Sequence, residues 1–84
     1  MNRYLVYLLR RPDVDPAVVP QHIAYLDQLR AQGTLELSGG FSDKSGGAYV
    51  LRADDLAQAN ALVQRDPAFT SGGWTITVHE WLAR

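Results

Sequence analysis

Apolar and polar positions along this chain fall into blocks of two periods, in the order strand, helix, strand, strand, helix, strand. Residues 4–9, Tyr-Leu-Val-Tyr-Leu-Leu, are a continuous apolar run bounded by Arg10-Arg11-Pro12-Asp13. Its length and its Val and Tyr content predict a strand apolar on both faces, as a central position in a sheet requires. Asp15-Pro16 supplies an N-cap and a proline at the first helical position, so a helix is expected to run to Gln32 with Gly33 as its stop. Val19, Ile23, Leu26 and Leu29 form its apolar stripe, and Pro20 falls in the first turn or so, where a missing N–H costs least.

Thr34 to Ser38 alternates, which places Leu35 and Leu37 on one face of a half-buried strand and Thr34, Glu36 and Ser38 on the other. Gly39-Gly40 and the segment from Ser42 to Gly47 carry turn chemistry, and Ala48 to Arg52 resumes as a strand, closing a long hairpin. Asp54-Asp55 caps a second helix to about Gln64, with Leu56, Ala59 and Val63 inward and its carboxylates at the positive end of the helix dipole. Asp66-Pro67 ends it. From Trp74 to Leu82 the alternation is strict, with Trp74, Ile76, Val78 and Leu82 on one face and Thr75, Thr77, His79 and Trp81 on the other.

The order βαββαβ predicts an α+β, ferredoxin-like domain: a four-stranded antiparallel sheet with two helices on one face, filling residues 1–84 as a single unit. The second sheet face combines the threonines, His79 and Trp81 with alternate apolar residues of the first strand. That mixture is too apolar for open solvent and too polar for a dry core. A second copy stacked sheet to sheet would cover it and leave a polar-lined cavity between the copies.

Composition sharpens this expectation. The chain has 84 residues, 46% of them hydrophobic, and no cysteine, so disulfides cannot reinforce a small core and oligomerisation is the natural way to enlarge it. The formal charge is −1, and the eight basic residues are Lys44 and seven arginines, which gives no basic field for nucleic acid. No apolar run approaches a membrane span, and Met1-Asn2-Arg3-Tyr4 leads into strand pattern without a cleavable signal, so a cytoplasmic, membrane-free protein is expected.

Two residues invite chemistry. His22 lies inside the apolar stripe of the first helix, one turn before Leu26. It is either a half-buried histidine bonded to backbone or a general base, since imidazole titrates near neutrality. Asp66 follows a helix whose C-terminal end is partly negative, so its carboxylate needs compensation. It is either the N-cap of a short turn with Pro67 at the first position, or the group that holds the His22 imidazole across the fold.

The stretch from His22 to Gly33, His-Ile-Ala-Tyr-Leu-Asp-Gln-Leu-Arg-Ala-Gln-Gly, resembles the first-helix signature of the YciI-like (YCII-related) family. Asp66-Pro67-Ala-Phe-Thr-Ser-Gly-Gly-Trp74 is similar to that family's Asp-Pro segment and the glycine before its last strand. Ser38-Gly39-Gly40 stands where the family commonly has Gly-Pro, with Gly40 in place of the proline, and Val19 stands where an arginine often precedes the histidine by one turn. His79-Glu80-Trp81 falls near the family's strand-end aromatic.

The resemblance implies a dimeric α+β barrel, with two sheets face to face, and an active site around the histidine and aspartate that match His22 and Asp66. Most of the family lacks an assigned reaction. Members with chemistry, like the similar muconolactone isomerase fold, act on lactones by cofactor-free proton abstraction followed by elimination or isomerisation. On that model Asp66 orients His22, which takes a proton α to a carbonyl, and Ser38 or backbone N–H groups near Gly39 and Gly40 stabilise the enolate.

Competing readings make distinct demands. An RNA-recognition motif shares the topology, but the third-strand segment Ser45-Gly46-Gly47-Ala48-Tyr49 lacks the expected basic residue at Ser45 and an aromatic at Gly47. His79-Glu80 is not followed by a second histidine at zincin spacing, and a metal site would have to be assembled from His22, His79 and Asp66, so no metal and no cofactor is expected. A non-catalytic dimer that binds a small molecule would use the same residues as hydrogen-bond partners only. A purely structural dimerisation domain would have no accessible cavity.

Overall fold

The computed structural model describes residues 2–84; Met1, where the signal-free start was read, lies outside them. The elements are β1 (Asn2–Arg10), α1 (Val18–Ala31), β2 (Leu35–Gly40), β3 (Gly46–Ala53), α2 (Leu56–Gln64), α3 (Pro67–Ser71) and β4 (Trp74–Trp81). The strands form one four-stranded antiparallel sheet in the order β2-β3-β1-β4, the expected ferredoxin-like arrangement. β1 is paired on both sides, which explains its unbroken apolar run. Tyr4, Val6 and Leu8 are buried under the helices, while Leu5 and Tyr7 are half-buried on the opposite face. Tyr49, Leu51 and Ala53 of β3 join them, and Leu26 and Leu29 of α1, Ala59 and Val63 of α2 and Ala68 of α3 close the core from above. Each large side chain so buried contributes about 1.5–3 kcal/mol.

The helices depart from the expected bounds for local reasons. α1 begins at Val18, not after Asp15, and its N-cap Ala17 has no side-chain cap. Pro20 has no N–H to return to the Pro16 carbonyl, so the entry is a tight turn in which Val18 N–H bonds Asp15 O and Val19 N–H bonds Pro16 O. Asp15 caps that turn instead, accepting from Ala17 N–H at 3.0 Å. α2 is capped as its sequence requires: Asp55 accepts from Gln58 N–H, and the Gln58 side chain accepts from Asp54 N–H. Leu56, at the first position of α2, is 47% exposed and does not join the core, and Leu82 is 83% exposed because β4 ends at Trp81.

β2 corrects the sequence reading most. Leu35 pairs with Leu51 but Leu37 pairs with Val50, so an extra residue is inserted at Glu36 as a β-bulge. Leu35 is buried beneath the helices, whereas Leu37 is 66% exposed on the opposite face. The bulge also turns Ser38, paired with Tyr49, to the helix side. Gly39-Gly40 and Gly46-Gly47, read as turn residues, are paired strand residues that extend the hairpin to the short turn at 41–45. Glycine is required there by contact. A Cβ on Gly46 would lie 1.9 Å from the Leu8 carbonyl oxygen, and one on Gly47 would lie 2.6 Å from that of Gly39.

On the face without helices, Leu5, Tyr7 and Leu9 of β1 pair with His79, Thr77 and Thr75 of β4. Leu9, Leu37 and Trp81 there are 39%, 66% and 47% exposed. Glu36, on this face opposite Leu35, meets the Arg3 Nε at 2.9 Å and the Arg52 Nε at 3.6 Å. No helix of the described residues is long and apolar enough to cross a membrane.

Candidate active site

Asp66 occupies two roles that the sequence posed as alternatives. As the N-cap of α3 it accepts from Ala68 N–H at 2.9 Å, with Pro67 at the first helical position. Its other partners come from distant elements: the His22 Nδ1 lies 2.8 Å from both carboxylate oxygens, and the Tyr49 hydroxyl donates to Oδ2 at 3.0 Å. Asp66 is 0% exposed, so this charge is carried by three donors rather than by water. α1 packs against α3, and that contact brings His22 and Asp66 together across 44 residues of sequence.

The geometry fixes the imidazole. A carboxylate only accepts, so Nδ1 carries the proton toward Asp66 and the neutral ring keeps its lone pair on Nε2. Among the described residues no hydrogen bond engages Nε2. The His22 side chain retains 17% exposure and lines a cavity of about 210 Å³. Its ring sits 6.0 Å from that of Tyr49, tilted by 48°. Burial, and secondly the charge of Asp66, push the Tyr49 hydroxyl far above its usual range, so it remains a neutral donor. The Tyr25 hydroxyl, which donates to Leu62 O at 2.6 Å, is also raised, by burial first.

The cavity lies on the helix side of the sheet, between α1 and the glycine-rich ends of β2 and β3. Thr75, Thr77, His79 and Trp81, expected to line a cavity between two copies on the opposite face, do not line this one. His79 is exposed there, with Nε2 3.3 Å from Thr77 Oγ1. Leu8, Val19, Ile23 and Leu26 supply apolar wall, which is why Ile23, expected in the core, is 51% exposed. Ser38, Gly39 and Gly40 line the cavity as well. Ser38 Oγ accepts from Arg30 at 2.7 Å, and Arg30 also bonds Asp27. Phe41 N–H donates to Gly46 O, so the alternation of an antiparallel ladder commits the Gly39 N–H to β3 and turns the Gly40 N–H to the free edge of β2.

Three lining residues were not singled out for chemistry by sequence: Tyr49, Arg10 and Trp74. Tyr49 had a readable signal, since a tyrosine at a core position of an interior strand requires a partner for its hydroxyl. Arg10 and Trp74 are paired across β1 and β4, and the guanidinium carbon lies 5.3 Å from the centre of the indole ring. The Trp74 Nε1 is buried without a partner among the described residues, a desolvation cost of about 1–3 kcal/mol carried in the cavity wall. No cluster of three His, Asp or Glu side chains able to hold a metal occurs among the described residues.

A family model for the YCII-related domain matches residues 2–82. The chain belongs to the YCII-related family. Within reach of this YCII-related chain is the uncharacterised protein YjpA of Bacillus subtilis (strain 168), 38% identical over 81 residues that cover 96% of this chain and 95% of YjpA. Among solved structures, the 5-chloro-2-hydroxyhydroquinone dehydrochlorinase TftG of Burkholderia phenoliruptrix AC1100, in complex with 2,5-dihydroxybenzoquinone, superposes with a TM-score of 0.74 at 23% identity. The match covers 94% of this chain and 92% of TftG. At that identity the likeness establishes the shared fold.

Proposed function

We propose that this YCII-related chain is a small enzyme that needs no cofactor, and that abstracts a proton α to a carbonyl of a small substrate, leading to elimination or isomerisation. The observation that carries the reading is the His22–Asp66 pair. A buried, fully bonded carboxylate orients the ring through Nδ1, and Nε2 is left for a molecule in the cavity. His22 is the base, and Asp66 and Tyr49 are positioning residues. The Gly40 N–H and Ser38 are the donors for the enolate; the Ser38 Oγ accepts from Arg30, which leaves its O–H free to donate. TftG offers a precedent in kind: a dehydrochlorinase eliminates HCl from a small ring, and its structure holds a dihydroxybenzoquinone.

The face bearing Leu9, Leu37 and Trp81 supports a homodimer joined sheet to sheet, since three large exposed apolar side chains gather on it. In this reading the dimer enlarges the core while the cavity of each copy stays on its own helix side.

The test is deuterium exchange, followed by NMR in D2O, for a panel of small lactones, hydroxyquinones and 2-oxo compounds. The wild-type protein should exchange the α-hydrogen of one of them, and His22→Ala should slow that exchange by roughly 10²–10⁴-fold. A ligand that binds the cavity and is recovered unexchanged would mark a binding module instead. Full exchange by His22→Ala would remove the histidine from its role.

A further inference from the structure

We propose that Arg10 is the anion-binding residue of the His22 cavity, and that the molecule taken there is a small, mostly apolar compound bearing a carboxylate. The inference rests on the cavity being the working site, as above, but not on His22 acting as a base.

Arg10 ends the stripe Tyr4, Val6, Leu8 on the helix side of β1, so its side chain emerges where the pattern would otherwise continue apolar. The guanidinium lies over the Trp74 ring at 5.3 Å, on the wall of the cavity that His22 also lines. The cation–π contact with the indole restricts the Arg10 side chain and reduces the ordering cost of a contact with an anion. Its side chain makes no hydrogen bond or ion pair among the described residues. Other arginines are engaged: Arg11 bonds Thr75 Oγ1 and Gly72 O, Arg30 bonds Asp27, and Arg3 and Arg52 meet Glu36.

The cavity wall contains no Asp or Glu to neutralise Arg10. Asp66, behind His22, is already shared among three donors. Apart from Ser38, Tyr49, Trp74 and His22, the rest of the wall is aliphatic side chain and glycine backbone, and about 210 Å³ is below the roughly 300–1,000 Å³ of sites for drug-sized ligands. A cation placed over an indole in the wall of a small, mostly apolar cavity is complementary to a carboxylate carried on a compact apolar body.

The test compares benzoate with benzamide, equal in shape and differing in charge, by NMR titration of the full chain. Benzoate should bind roughly tenfold or more tightly than benzamide, and should shift the Arg10 Nε–Hε and Trp74 indole resonances. Arg10→Gln should bring the two affinities together, and Arg10→Lys should retain part of the difference, which separates lost charge from lost fold. His22→Ala should keep the preference even though its exchange activity is gone, so a failed base and a failed anion site give different results. Equal affinities in the wild type, benzoate shifts outside the cavity, no binding of benzoate, or a preference that survives Arg10→Gln would each overturn the proposal.

Discussion

The two faces of the sheet are built from the same alternating strands, yet they have opposite character. Under the helices, the polar groups are few and strongly committed: Asp66 is fully buried and bonded by His22, Tyr49 and Ala68. On the other face the polar groups are many and loosely held, with His79 3.3 Å from Thr77 and Glu36 spread over two arginines among exposed Leu9, Leu37 and Trp81. The difference teaches where precision resides. Burial makes each hydrogen bond of Asp66 expensive to break, so the imidazole is held in one orientation. The open face has apolar area without a fixed polar arrangement, which suits an adhesive surface better than a catalytic one.

This contrast can be broken at several points. The largest effect belongs to Asp66→Ala. It strands three donors and should cost about 3–5 kcal/mol of stability, read from urea unfolding, and abolish α-hydrogen exchange as well. Asp66→Asn, which keeps the shape, should recover much of the stability and little of the activity.

Tyr49→Phe is expected next, at about 1–2 kcal/mol at neutral pH for one lost donor to a charged acceptor. It also has a pH signature. The folded state keeps the Tyr49 hydroxyl protonated well above its ordinary value of 10.0, while the unfolded chain ionises there. The stability it lends is therefore complete below about pH 10 and is lost as pH rises above it. Alkaline unfolding of Tyr49→Phe should be correspondingly shallower, with the remaining slope reduced by Tyr25→Phe, whose hydroxyl is raised in the same direction. Equal alkaline slopes in wild type and variant would contradict the assignment.

A charge on the open face should do the reverse. Leu37→Arg removes little packing from a side chain 66% exposed, so the stability of the single chain should change by within about 0.5 kcal/mol. If the proposed sheet-to-sheet dimer forms, sedimentation should show a dimer for the wild type and a monomer for this variant. A variant that remains dimeric would move the interface elsewhere. The smallest effect is local: Asp43 accepts from Ser45 N–H and Oγ–H, which holds its carboxyl below the usual range. The turn should therefore keep its amide protection at neutral pH and lose it as pH falls through that lowered pKa, measured by hydrogen exchange at Ser45. Asp43→Ala should lack this dependence.

Much of the fold was legible because it is written in local periods. The interior place of β1 followed from apolar residues at successive positions, and β4 from strict alternation at Trp74, Ile76 and Val78. The errors arose where one residue changed a face or an end. Glu36 inserts a bulge, and no composition signal separates Leu-Glu-Leu in a regular strand from the same triplet around a bulge. Glycine pairs read as turns because glycine favours turns, but here Gly46 and Gly47 are glycine so that backbones can meet closely.

At the candidate site, the sequence singled out His22 and Asp66 and tertiary structure decided their relation. Local pattern and family resemblance together marked His22 and Asp66, and local physics made Asp66 a cap for α3. Their 2.8 Å contact, the Tyr49 donor and the cation–π contact of Arg10 with Trp74 depend on how α1, α3 and the sheet pack. The same packing put the cavity on the helix side of the sheet. Periodicity reports which residues share a face of one element. Which elements then bring those faces together is settled by filling volume and bonding every buried polar group, a condition on the whole chain that no segment expresses by itself.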